Sequence, residues 1–226
     1  MQGKYRHEFK YSISCADYLA LRPRLRAVMS GDKNVRADGT YLINSIYFDN
    51  YGDKALREKM SGVQKREKWR IRWYNDNPEK FKLEKKMKNN SLCMKFSAPL
   101  DRAQCEKILA GDTDWMMDTD NDLIREFYVK LKSQLLRPRV LVSYKREPYV
   151  YAPGNVRVTF DSDIHTSVYD TELLSPETRV EAVDDGSIIL EVKYDEYLPS
   201  VIAEIIQLGR VRQRAFSKYG ACRRFG

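Results

Sequence analysis

Lysine and arginine recur at every second residue in several stretches of this chain, a spacing suited to gripping a multiply charged anion. In Lys68-Trp69-Arg70-Ile71-Arg72-Trp73-Tyr74 the cations alternate with aromatic and aliphatic residues. Successive side chains of a β-strand point to opposite faces, so Lys68, Arg70 and Arg72 share one face and Trp69, Ile71 and Trp73 the other. Lys80, Lys82, Glu84, Lys86 and Lys88 repeat the pattern, as do Arg6, Glu8 and Lys10, and Arg157 with Thr159, Asp161 and Asp163. One such strand alone is an ordinary half-buried strand with a wet outer face. Like charges on neighbouring strands destabilise a sheet unless something offsets them, so the repetition asks for a counter-ion.

Carboxylates stand among these cations at Glu8, Glu84 and Glu191, the last beside Lys193. A hard divalent cation such as Mg2+ or Mn2+ needs only one or two carboxylates when phosphate oxygens complete its shell. Glu191 is the first choice for that role, with Glu8 and Glu84 behind it. The alternative for each is a salt bridge to a neighbouring Lys or Arg.

The elements that must position these residues follow from hydrophobic period and turn chemistry. Strands are expected over residues 6–13, 41–49, 68–74, 80–88, 91–98, 139–149, 156–163 and 187–194. Asn75-Asp76-Asn77-Pro78 makes the 68–74 and 80–88 strands a hairpin, and Asn89-Asn90 turns the chain again. Helices are expected from Asp17 to about Met29, with Pro23 either in its first turns or marking a break, from an Asp101 cap to Ala110, over 121–136, and from Pro199 to Leu208, and a short helix or irregular stretch over 54–59. Ser30 to Gly39 reads as a loop, and the tail carries Arg210, Arg212, Arg214, Lys218, Arg223 and Arg224.

Strands spread along the whole chain and joined by turns or helices predict an α+β fold in one domain, residues 1–226. The layout suits one mainly antiparallel sheet or barrel with helices packed outside. If the basic faces converge, the interior is a polar, cationic tunnel. Mutual repulsion there depresses lysine pKa values, and a polyanion relieves it. Triphosphate or polyphosphate matches such a bore in charge and width.

The 226 residues carry a formal charge of +8, which calls for an acidic partner. Nucleic acid fits poorly. Trp69 and Trp73 face away from the cations and cannot interleave with them as a stacking platform for bases, and no RNP, helix-turn-helix or zinc-finger pattern is present. No apolar run approaches the roughly 20 residues of a membrane span. Cys15, Cys93, Cys105 and Cys222 form no CxxC pair and read as free structural thiols, and the N-terminus has no signal-peptide core, so a cytoplasmic location is expected. His7 and His165 are read as incidental.

From about Arg6 to Tyr219 the chain resembles the VTC domain family of polyphosphate polymerases, within the triphosphate tunnel metalloenzyme, or CYTH-like, superfamily. The likeness rests on Arg6-x-Glu8-x-Lys10-Tyr11, Ser45-Ile46-Tyr47-Phe48-Asp49-Asn50, Lys68-x-Arg70-x-Arg72-x-Tyr74, Leu83-Glu84-x-Lys86, Tyr144-x-Arg146, Val156 to Asp161, Leu190-Glu191-Val192-Lys193 and Ser217-Lys218-Tyr219, in that order. It does not extend to the SPX sensor or membrane helices of the eukaryotic polymerases.

What the resemblance implies is an antiparallel β-tunnel that binds the triphosphate of ATP and a growing polyphosphate chain. Lys10, Arg70, Arg72, Lys86, Arg146, Arg157, Lys193 and Lys218 become phosphate ligands with a catalytic role. Arg6 and Lys68 join them in binding, and Glu191 becomes the ligand of Mn2+ or Mg2+. The activity implied is metal-dependent transfer of the ATP γ-phosphate to polyphosphate. Superfamily relatives with a similar lining hydrolyse triphosphates or cyclise ATP. A triphosphatase or polyphosphatase, with Glu8 or Glu84 orienting a water, and a non-catalytic polyphosphate-binding module therefore stay open as alternatives.

Overall fold

The computed structural model describes residues 5–75, 80–90, 92–167, 181–182, 186, 188–207 and 216–223. Its elements run β1 (Arg6–Ile13), α1 (Cys15–Val28), β2 (Ser30–Gly31), β3 (Tyr41–Asp49), α2 (Lys54–Met60), β4 (Lys65–Tyr74), β5 (Phe81–Asn89) and β6 (Leu92–Leu100). Then follow α3 (Arg102–Ala110), α4 (Asp122–Gln134), β7 (Arg137–Tyr151), β8 (Val156–Ser167), β9 (Glu181–Ala182), β10 (Ile188–Tyr194), α5 (Ser200–Ile205) and α6 (Lys218–Cys222). Short 3-10 turns lie at Asp114–Met117 and Pro153–Asn155.

Eight of the strands form a closed antiparallel ring, β7-β3-β4-β5-β6-β1-β10-β8, completed by pairing of β8 with β7. The two-residue strands β2 and β9 add to β7 and β8. Closure leaves one face of every strand inside, so alternation along each strand sorts its residues into bore and exterior. The β1–β6 ladder is the shortest in the ring, with only Arg6 opposite Cys93 and His7 opposite Leu92.

The exterior is apolar where helices cover it. Trp69, Ile71 and Trp73 of β4 are buried with Phe81 and Leu83 of β5 against Cys105, Ile108, Leu123, Ile124 and Phe127 of α3 and α4. These helices form where their caps allow: Asp101 and Gln104 make a reciprocal capping box for α3, and the Asn121 side chain accepts from the backbone amides of Leu123 and Ile124 for α4. A second outer cluster sets Leu21 and Leu25 of α1 and Ile202 of α5 against Val158, Phe160, Leu190 and Val192. Helix α1 starts at a Ser14–Asp17 capping box and passes through Pro23 without a break.

The bore itself is divided. Its cationic part is shared with a buried apolar cluster in which Ile43, Tyr47, Val140, Val142, Tyr144, Ile164 and Ile189 pack against Tyr219 and Cys222 of α6. Polar lining thus holds for one portion of the interior, and the short C-terminal helix, whose Ser217-Lys218-Tyr219 the sequence offered as a motif but not as a helix, occupies the rest. Strand β8 also departs from simple alternation: the β7–β8 register shifts between Ser143 and Lys145, and Asp163 takes φ 51°. The extra residue turns Asp163 to the exposed surface and buries Ile164, so Asp163 does not share the face of Arg157, Thr159 and Asp161. The four cysteines are free thiols. Arg210, Arg212, Arg214 and Arg224, the middle of the Asn75–Pro78 turn, Ser91, Ser187 and the end of the 199–208 helix lie outside the described residues.

Phe127, fully buried, stacks on Trp69 at 4.9 Å and meets Phe48 edge-on at 5.0 Å. Phe127→Ala is expected to cost about 3–5 kcal/mol of unfolding free energy. Equilibrium denaturation checks this, and a loss below about 1 kcal/mol would mean that α4 does not hold the outer wall of the ring.

Candidate functional site

Inside the ring lies a cavity of about 470 Å³. Eleven Lys or Arg side chains line it: Lys10, Lys59, Arg66, Lys68, Arg70, Arg72, Lys86, Lys88, Arg146, Lys193 and Lys218. Against them stand two carboxylates, Glu8 and Glu191, with Tyr47, Tyr144, Phe216, Ser217 and Tyr219 among the remaining lining residues. The ring brings cations from five strands and two helices onto one space because each points inward by strand parity or helix placement.

Register sets like charges directly opposite one another. Lys68 faces Lys86, and Arg66 faces Lys88, across β4 and β5. The Lys68 ammonium donates to Ser217 Oγ at 3.0 Å and sits 5.0 Å from the centre of the Tyr219 ring. Burial, and then the charges of Lys10, Lys86, Arg66 and Lys59, push Lys68 down to about 7. Burial likewise pushes Lys193 down to about 8, even with Glu191 beside it. The depression expected of a crowded cationic bore is thus found at Lys68 and Lys193, with burial its first cause, and not at Lys10, which burial would lower but Glu8 and Glu191 raise.

The arginines are held from behind. Arg70 donates through Nε at 2.8 Å and Nη2 at 2.5 Å to Glu84 Oε2, and through Nη1 at 2.8 Å to the Tyr47 hydroxyl. Arg72 donates through Nε to Ser45 Oγ at 3.2 Å and through Nη2 to the Tyr144 hydroxyl at 3.1 Å. Arg146 makes a bidentate pair with Asp161, at 2.5 and 2.7 Å. A planar guanidinium gripped on one edge keeps a fixed orientation, with its remaining N–H groups directed by that edge.

Glu84 is fully buried, takes Lys95 at 2.9 Å as well as Arg70, and is absent from the cavity lining. Expected as a metal ligand, it is instead the counter-ion of Arg70, Arg72 and Lys95. Burial alone would raise its pKa, but those three cations outweigh burial and hold it far below the usual carboxylate range.

Glu8 and Glu191 do come together, bridged by the Lys10 ammonium at 3.0 and 3.2 Å. Glu8 also accepts from Lys86 at 2.7 and 2.8 Å. Burial would raise both carboxylates, yet Lys10 and Lys86 hold Glu8 low, and Lys193, Lys10 and Arg146 hold Glu191 low. Glu191 Oε1 lies against the Lys193 ammonium and 3.8 Å from Arg146 Nη2 but accepts no hydrogen bond of ordinary geometry. Among the described residues no group of three or more His, Cys, Asp or Glu side chains could enclose a metal. Two carboxylates, one with an incompletely satisfied oxygen, fit a hard cation that takes its other ligands from phosphate and water, and do not fit a closed all-protein site.

Of the ten cations expected to bind phosphate, eight line the cavity: Lys10, Lys68, Arg70, Arg72, Lys86, Arg146, Lys193 and Lys218. Arg6 does not; its Nε meets Asp195 at 2.8 Å and its Nη2 donates to the Asn155 carbonyl. Arg157 does not either, although it is the cross-strand neighbour of Lys193; its Nη2 is taken by Asp32 and by the Tyr41 hydroxyl at 2.8 Å. Parity gives the face of a strand but not the distance along the bore, and both residues sit beyond the cavity. Lys59, Arg66, Lys88 and Ser217 line it without having been singled out as ligands. Arg66 was open to discovery, since it extends the Lys68-Arg70-Arg72 parity by one step. Lys59 on α2 carried no such signal. His7 stacks on Tyr194 and His165 contacts the Asp163 carbonyl, and neither lines the cavity.

The profile of the VTC domain matches residues 5–225. This chain belongs to the VTC domain family. Solved structures agree on the fold. A Bacillus halodurans protein provisionally designated an adenylate cyclase is 15% identical with a TM-score of 0.55, over 91% of this chain and 90% of its own. A protein of Pyrococcus horikoshii OT3 is 14% identical with a TM-score of 0.50, over 98% and 99%. No protein of curated function matches the chain at a significant level. The fold shared with those structures is a closed ring of antiparallel strands, and among the described residues no helix is long and apolar enough to cross a membrane.

Lys68 gives the site a proton linkage with a definite sign. Its pKa is about 7 folded against an ordinary 10.5, so between those values the unfolded chain holds more protons and stability rises with pH. The penalty is full below pH 7 and is relieved towards pH 10.5. Lys68→Met should therefore melt higher than the wild type near pH 7, with the gap closing by pH 10. A bound polyanion raises the Lys68 pKa, so binding of linear polyphosphate at pH 8 should take up protons, and Lys68→Met should take up fewer. Calorimetry in buffers of different ionisation enthalpy measures this; equal uptake by both proteins would contradict it.

Proposed function

We propose that this VTC domain is a metal-dependent polyphosphate polymerase that transfers the γ-phosphate of ATP onto the end of a polyphosphate chain. The observation that carries the proposal is the lining itself: eleven cations against two carboxylates that are each already engaged by lysine. A site so unbalanced stabilises the phosphate-rich state in which both donor and acceptor are polyanions.

In the transfer, a terminal phosphate oxygen of the acceptor attacks the γ-phosphorus, the bond from γ-phosphorus to the bridging oxygen breaks, and ADP leaves with the electron pair. The attacking oxygen is anionic from the start, so no proton has to be removed. Arg70, Arg72 and Arg146, fixed by Glu84, Tyr144 and Asp161, offer directed N–H groups to the equatorial oxygens. The lysines neutralise the charge gathering on the leaving diphosphate. Glu191 and Glu8 would hold Mn2+ or Mg2+ jointly with phosphate oxygens, and that ion supplies further charge neutralisation at the transferring group.

The hydrolytic alternative needs Glu8 or Glu84 to orient a water. Glu84, one candidate, is outside the cavity lining and saturated by cations. Glu8, the other, has both carboxylate oxygens engaged by the Lys10 and Lys86 ammonium groups. Lys68, neutral in part near pH 7 in the free protein, is reprotonated by a bound polyanion and becomes a donor. These features support phosphate over water as the nucleophile.

Incubation with ATP and Mn2+, with separate assays for long-chain polyphosphate and free phosphate, tests the proposal. Polymer is expected. Free phosphate alone would make the protein a hydrolase, and neither product despite tight binding would make it a binding module. Glu191→Gln is expected to lower metal-dependent turnover by roughly 100-fold or more while tripolyphosphate binding persists; unchanged turnover would reduce Glu191 to a salt-bridge partner.

A further inference from the structure

Asp161 is a buried acid that no step above uses as a ligand of phosphate or metal. Its side chain is fully buried on the inward face of β8, and it is not part of the cavity lining. It accepts Nε and Nη2 of Arg146 along one guanidinium edge, and its Oδ2 also receives the Lys218 ammonium. Arg146 comes from β7 and Lys218 from α6, so a single carboxylate joins a wall of the ring to the helix inside it. Both cations lie over the same ring, Arg146 Cζ at 5.4 Å and Lys218 Nζ at 4.4 Å from the centre of Tyr144. That ring is fixed in turn by its hydroxyl, which accepts from Arg72. With its Nε–Nη2 edge occupied, Arg146 has its Nη1 side left for the cavity.

We propose that Asp161 is a positioning residue: it aims Arg146 and Lys218 together at the anion held in the cavity. A carboxylate placed behind the cations, rather than among them, fixes their direction without competing for the phosphate in front. Without it the two cations keep their charge but lose their shared anchor, and α6 loses its ion-pair tie to β8. The inference rests on the phosphoryl-transfer reading, because aim is worth more to a reaction than to binding.

The test compares wild type and Asp161→Asn by polymer formation and by calorimetric titration with inorganic tripolyphosphate. Turnover is expected to fall roughly 10- to 100-fold, the scale of a misaligned reactive pair. The tripolyphosphate dissociation constant should hold or tighten, since removing an anion behind the site weakens no attraction. Turnover within about twofold of wild type would leave Asp161 a mere counter-ion, and parallel loss of turnover and affinity would leave it merely structural. Arg146→Lys, which keeps the charge and removes the fork, should show the same split, and the double variant should be no slower than the slower single one; additive losses would overturn the proposal. A readout free of turnover uses 15N-arginine. The Arg146 Nε–H resonance should be narrow without ligand and move little on adding tripolyphosphate. If it does so while no polymer forms, the polymerase reading fails and the positioning role stands. A resonance that is broad until ligand is added overturns the positioning role.

Discussion

Mutual repulsion among cations crowded into one cavity is the constraint on which the rest of this structure depends. Eleven positive side chains and two carboxylates share about 470 Å³, and a soft fold would relieve the strain by opening. The ring cannot open at an edge because each strand is paired on both sides. Repulsion is met instead by three devices. Glu84 and Asp161, both fully buried, neutralise the arginines from behind. Tyrosine faces take some of the remaining charge, with Lys68 over Tyr219, Arg70 over Tyr47, and Lys218 over Tyr144. Lys68, flanked by cations and bonded among the described residues to the Ser217 hydroxyl, yields part of its charge. Each device leaves the front of the cavity free of competing acid, except where Glu8 and Glu191 stand around Lys10.

Holding charge inside forces greasy residues out, and the helices follow from that. Trp69 and Trp73 alternate with Arg70 and Arg72, so a strand that presents guanidinium groups to the bore must present indoles to the exterior. Helices α3 and α4 bury that surface, and α1 and α5 do the same for β8 and β10. Inside, Tyr219 and Cys222 of α6 bury the apolar end of the bore and place Ser217 and Lys218 at its polar end. The hydroxyl of Tyr219 donates to Asp49, and Arg223 pairs with Asp53, so the helix is fastened to β3 and the turn that follows it.

Much of this was legible in alternation. The period-two placement of Lys68, Arg70 and Arg72 against Trp69, Ile71 and Trp73 identified both faces of β4, and closure of the ring turned them inward and outward. What alternation does not encode is height along the bore and the identity of a partner across it. Arg6 and Arg157 have the right parity but meet Asp195 and Asp32 beyond the cavity. Glu84 also has the right parity, yet its cross-strand partner Arg70, with Lys95, claims it as a counter-ion. The bulge at Asp163 breaks the pattern of β8 through a backbone angle that no neighbouring residue type announces. Helix α6 is five residues long, too short for a hydrophobic period, and Lys59 enters the site from a helix whose role is otherwise packing.

The central claim, that a single cationic cavity is built for a polyphosphate anion, is tested most directly by calorimetric titration of the metal-free protein with inorganic tripolyphosphate at physiological salt. One saturable site is predicted, with an affinity far above that for orthophosphate and lost in Arg70→Ala with Arg146→Ala. Binding that is weak, without a defined stoichiometry, or indifferent to those two substitutions would mean that the charge acts only as a diffuse surface field, and would contradict the account.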